Sequence, residues 1–99
     1  MMRPSSQAPN GMVPDRDDAL RNVTQIVAEQ MGMQVDGVME SSALIEDLGC
    51  DSLDLVEISM ELEEHFDISI PDDFGEQTRT IGEVTDGVLR LLAGSRLSQ

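Results

Sequence analysis

Ninety-nine residues give room for one small domain and a flanking segment, and a domain of that size buries only about 60–65% of its unfolded surface. Twenty Asp or Glu against six Arg and no Lys leave a net charge of −14, a surface that repels nucleic acid and anionic membrane and attracts partners with basic patches. One cysteine excludes an internal disulfide, no apolar run is long enough to span a membrane, and two Phe with seven Met make a thin, adaptable core instead of a deep catalytic cleft.

Residues 1–14 hold three of the four prolines, with Ser5, Ser6, Asn10 and Gly11 and no apolar periodicity. They read as a disordered tail without a basic-plus-apolar leader. Asp15 to Asp18 then open a first helix with acids at the favourable end of its dipole. Leu20, Val23, Val27 and Met31 follow at helical spacing, joined by Ile26, and Gly32 marks the stop. From Met33 to Asp51 the period breaks. Val35, Val38, Met39, Leu44, Ile45 and Leu48 are spread through this connection, so it is expected to pack, with a short turn of helix around residues 42–47.

The second helix is expected from Ser52 to His65 or Phe66. At about 100° per residue, Leu55, Ile58, Leu62 and Phe66 form one apolar stripe. Leu53, Val56 and Met60 form another, nearly opposite, bordered by Glu57, Glu61 and Glu64. A surface helix needs only one stripe. The glutamates argue against burying the second, and an exposed apolar patch rimmed by charge is a binding surface.

Pro71 ends continuity with that helix, and residues 71–76 allow a short third helix at best. The last helix opens on Thr80-Ile81-Gly82-Glu83, a capping-box pattern, with Ile81, Val84, Val88, Leu91 and Leu92 as its core stripe and Gly94 as its expected end. The fold class is all-α: a small four-helix bundle of three long helices and one short, residues 15–93, between a tail of 1–14 and a tail of 94–99.

Candidate chemistry centres on Ser52. Asp51-Ser52 reads as a helix start, because short oxygen-bearing side chains accept from unpaired first-turn amides, and Gly49 supplies a joint into it. The only histidine is His65, far along the chain, so Ser52 lacks an activating base and reads as a group acted upon. Cys50 and His65 have no clustered ligand spacing for a metal. Acids around Cys50 disfavour its thiolate. Asp47, Asp51 and Asp54, or Glu63, Asp67 and Asp72, offer at most loose divalent-ion contacts, and nothing resembles an EF-hand. No catalytic residue and no metal site is assigned.

The run Asp47-Leu48-Gly49-Cys50-Asp51-Ser52-Leu53-Asp54 resembles the modification signature of acyl carrier proteins. The likeness continues through Val56-Glu57, residues 60–64, Phe66 and Ile70-Pro71-Asp72, and covers roughly residues 17–92. The bare Asp51-Ser52-Leu53 tripeptide also fits an ordinary helix cap; the whole ordered run carries the resemblance. It implies phosphopantetheine esterified to Ser52 as the covalent cofactor, with Asp51 and Leu53 flanking it. The terminal thiol of that arm carries acyl groups as thioesters. The docking face implied for partners is Leu53, Asp54, Val56, Glu57, Met60, Glu61 and Glu64, read by a phosphopantetheinyl transferase and by acyl-transferring and synthase enzymes. Divalent ions bind such carriers adventitiously, without a cofactor role.

After Pro71 the chain departs from the fatty-acid carriers, which often read D-E-x-A-E-K-I there; it has Asp72-Asp73-Phe74-Gly75-Glu76-Gln77-Thr78. That implies a looser third helix and a specialised cargo. The resulting expectation is a non-enzymatic, monomeric, cytoplasmic shuttle in fatty-acid, lipid or polyketide-type synthesis. Its rivals are a peptidyl or aminoacyl carrier, an unmodified acidic interaction module, and a small hydrolase using Ser52, which lacks both base and oxyanion hole.

Overall fold

In the computed structural model, residues 14–97 are described. Helix α1 spans Arg16–Met31, α2 Ser52–Phe66, α3 Phe74–Gln77 and α4 Ile81–Leu97, with a 3-10 turn at Val35–Gly37 in the long connection. The expected tail of residues 1–14 lies, apart from Pro14, outside the described residues.

The local stop and start signals act as their chemistry requires. Asp15 caps α1 by accepting from the Asp18 amide at 3.0 Å. Gly32 ends it in the left-handed region (φ 68°), where a residue without Cβ costs nothing and its amide reaches back to the Ala28 and Glu29 carbonyls. At α4 the Thr80 hydroxyl accepts from the Glu83 amide at 3.2 Å, while the Glu83 carboxylate accepts from Thr80 at 3.3 Å and from the Arg79 amide at 2.7 Å.

Helix α1 packs against both α4 and α2. The core between them is aliphatic: Val23, Val27 and Ala28 from α1, Ile58 and Leu62 from α2, and Ile81, Val84 and Val88 from α4. Thr85 is buried among them without penalty, because its hydroxyl donates to the Ile81 carbonyl at 2.9 Å.

Two expectations are corrected and one is refined. The turn expected around residues 42–47 is a single one, closed by the Asp47 amide donating to the Ala43 carbonyl at 2.9 Å, and it does not grow into a regular helix because the segment is pulled alongside the start of α4. Ala43 and Thr80 form an antiparallel bridge, and the Leu44 amide donates to the Arg79 carbonyl at 2.9 Å. Within the connection Val38 and Leu44 are buried as expected, but Val35, Met39 and Ile45 are exposed. Finally, α4 does not stop at Gly94 but continues to Leu97. A glycine weakens a helix by about 1 kcal/mol without forbidding it, and here no chain reversal demands its left-handed conformation.

Arg16 joins three parts of the chain that are distant in sequence. Its guanidinium reaches Glu40 at 2.7 Å and Asp86 at 2.8 Å, and donates to the Gly82 carbonyl at 3.4 Å. The hydrogen bond from Arg16, helped by the charges of Arg16 and Arg90, holds the Asp86 carboxyl below its ordinary range. A depressed folded-state value means stability that is present above the unfolded value, about 3.9, and lost as pH falls through the lower folded one. The difference in melting temperature between wild type and Asp86→Asn should therefore be constant above about pH 5 and shrink below about pH 4. A difference that does not change with pH would show that the ion pair contributes nothing through charge.

Candidate functional site

The mouth of α2 is built by two aspartates. Asp51 accepts from the Asp54 amide at 2.9 Å, and Asp54 accepts from the Asp51 amide at 3.1 Å, closing a reciprocal box around the first turn. Ser52 is the first helical residue between them and stands exposed. Because the cap is Asp51, the hydroxyl of Ser52 is not spent on helix capping, and it has no hydrogen-bond partner among the described residues. The approach to this corner is also fixed locally. Gly49 takes φ 77°, and the Asp47 carboxylate accepts from the Ala43 amide at 2.8 Å.

The two stripes of α2 separate as their phases require. Ile58 and Leu62 are 3% and 1% exposed, with Leu55 and Phe66 packed against the same core. Leu53, Val56 and Met60 are 64%, 54% and 59% exposed. Glu57, Glu61 and Glu64 are exposed beside them, and Asp54 is half-buried at the helix start. No acid of α2 forms an ion pair among the described residues, so this face keeps its charge. One contact escaped sequence reasoning: Gln30 of α1 donates to the Glu57 carboxylate at 2.7 Å. The two residues lie 27 positions apart, so no local pattern announces the bond.

Other candidate groups are drawn into structure. The Cys50 thiol is buried, with its sulfur 3.5 Å from that of Met31. Burial, then the charges of Asp54 and Asp51, push it above the ordinary thiol range, so the main cause is desolvation and the acids are secondary. Glu63 accepts from the Ile70 amide at 2.8 Å, and Asp67 ends α2 in the left-handed region. Among the described residues no three His, Cys, Asp or Glu are grouped to hold a metal ion. His65 lies in the last turn of α2, edge-on to Phe66 with ring centroids 4.8 Å apart. At 1.5 Å per residue that is about 20 Å along the axis from Ser52.

A space lies between α2, α3, the start of α4 and the connection before α2. This cavity measures about 350 Å³, and its apolar wall includes Leu44, Leu55, Ile58, Leu62, Phe74 and Val84.

Residues 21–88 match the family described as "Phosphopantetheine attachment site". The chain is 52% identical over 62 residues to an acyl carrier protein of Sulfurovum sp. (strain NBC37-1), covering 63% of this chain and 83% of that one. Among solved structures it resembles the acyl carrier protein from Enterococcus faecalis described for its high thermal stability, at TM-score 0.65 and 28% identity over 77% of this chain and 96% of that one. It also resembles the apo doublet acyl carrier protein from prodigiosin biosynthesis, at TM-score 0.66 and 30% identity over 75% of this chain and 36% of the doublet. An open serine corner on an acidic helix, inside a four-helix bundle and a match that spans most of both chains, therefore places this protein in the acyl carrier protein family, a carrier of acyl groups on phosphopantetheine.

Proposed function

We propose that Ser52 is the attachment point, that Leu53, Asp54, Val56, Glu57, Met60, Glu61 and Glu64 form the docking face, and that the cavity under α2 shelters the cargo. The observation that carries this reading is the unengaged Ser52 hydroxyl at an exposed helix mouth, capped by Asp51 and followed directly by Leu53. These residues fit the arm. The hydroxyl is reachable without unfolding anything, and no side chain of the corner needs to move away from it. Once attached, the arm supplies a thiol that holds acyl groups as thioesters. The chain's own residues then do three things: Ser52 tethers, the exposed stripe with its glutamates orients partners, and the aliphatic cavity keeps water from an acyl chain.

The partners are a phosphopantetheinyl transferase and the acyl-transferring and synthase enzymes of fatty-acid, lipid or polyketide-type synthesis, each with a basic patch to meet the acidic face. The carrier itself is non-catalytic, a reading supported by His65, the chain's one histidine, lying about 20 Å along α2 from Ser52, and it works as a monomer. The carrier unit is residues 15–93, with the last turn of α4 extending it. No described helix is long and apolar enough to cross a membrane. The location proposed is the cytoplasm, a reducing compartment that suits a single buried thiol.

Incubation with coenzyme A and a phosphopantetheinyl transferase, followed by intact-mass measurement, should show a gain of one arm. A chain that stays unmodified across several transferases would end the reading at Ser52. The docking face has its own test. Met60→Ala should change stability by less than about 0.5 kcal/mol, as for surface sites, yet weaken binding to the transferase. Glu57→Lys should slow association and flatten its salt dependence. A Met60→Ala protein that melts early but is modified at the normal rate would put the stripe in the core.

A further inference from the structure

The cavity is closed on one side by α3, a helix of four residues. One side chain of α3 reaches into the core. Phe74 is half-buried, packs against the core and lines the cavity. Its ring rests on Gly87 of α4: a Cβ placed there would come within 2.7 Å of Cε1 and 2.8 Å of Cζ. Carbon atoms in good contact sit about 3.5–4.0 Å apart, so only a glycine leaves this seat open. Buried Thr78 completes it. The Thr78 methyl faces the same notch, 3.3 Å from that Cβ position, and the hydroxyl donates to the Phe74 carbonyl at 2.7 Å.

The ring thus occupies volume that would otherwise extend the cavity along α4 to Gly87. With it in place the cavity is about 350 Å³, at the small end of the roughly 300–1,000 Å³ usual for ligand pockets. We propose that Phe74, seated on Gly87, is a specificity-determining residue of this carrier: it is the end wall that limits sheltered cargo to short and medium straight acyl chains. This rests on the reading of the cavity as the acyl shelter.

The test loads the full chain, through a phosphopantetheinyl transferase, with saturated acyl arms from butyryl to palmitoyl and reads the melting temperature of each form. Wild type should show a maximum at a short or medium chain. Phe74→Ala should move that maximum to a chain longer by about four carbons, the order of the void that loss of a phenyl ring leaves, and Phe74→Leu should move it by less. A wild type whose melting point ignores chain length overturns the shelter reading and this inference together. A wild-type maximum that Phe74→Ala leaves in place overturns this inference alone.

The seat is tested separately. Gly87→Ala should lower the melting temperature of the wild-type chain, where the new methyl meets the ring. In the Phe74→Ala background the drop should be much smaller, because the ring contact is gone and only the Thr78 methyl, 3.3 Å from the new Cβ, remains to give way. An equal drop in both backgrounds would show that the ring does not sit on Gly87.

Discussion

Ser52→Ala should fold as the wild type does and accept no arm at all. The expectation follows from the division of labour at the helix mouth. Asp51 and Asp54 hold the first turn through their reciprocal bonds, so removing the neighbouring hydroxyl breaks no hydrogen bond among the described residues. The site is exposed and alanine is a good helix former, so stability should shift by no more than about 0.5 kcal/mol. Denaturant melts of the unmodified proteins should therefore coincide, while intact mass after treatment with transferase and coenzyme A should separate them completely. Modification of the alanine variant would move the attachment point to another hydroxyl. Ser59 would then be the first to examine, since it also lies on α2 and borders the cavity.

Leu62→Ala should come close to unfolding the protein. Leu62 is 1% exposed and belongs to the core shared by α1, α2 and α4. Truncating such a leucine costs about 2–5 kcal/mol, part of it for the cavity left behind. Small domains have only about 5–15 kcal/mol in total, and this one already keeps an open space beside Leu62, which lines the cavity. The contrast is with Met60, two residues away and facing solvent. Denaturant melts should rank Leu62→Ala far below Met60→Ala; the reverse order would mean that the helical phase of α2 is misassigned.

Both expectations could be framed from the residue pattern, because the features behind them are local. The cap of α1 at Asp15, its stop at Gly32, the box of Thr80 and Glu83, and the start of α2 at Asp51 each join residues within a few positions of one another. The two stripes of α2 follow from a period of 3.6 residues and the side preference of glutamate. Ser52 is legible for the same reason: the acids that cap the helix around it are its chain neighbours. Where local rules misled, they did so by being permissive. Gly94 is a possible helix end that nothing forces, and the turn at residues 42–47 is held to a single one by the bridge to Thr80.

The features beyond local reach join residues that are far apart in sequence. Arg16 meets Asp86 seventy positions away, Gln30 holds Glu57 across 27, and the ring of Phe74 finds its seat on Gly87. None of these partners bears a mark of the other. Which acid an arginine pairs with, or which glycine an aromatic ring rests on, depends on how whole helices are set against one another. The cavity depends on this most of all. Its wall is assembled from α2, α3, α4 and the connection, segments that only the packing of the whole bundle brings together. Side-chain periodicity says which faces turn inward; the distance between the facing helices, and hence the volume of the cavity, is set when they pack.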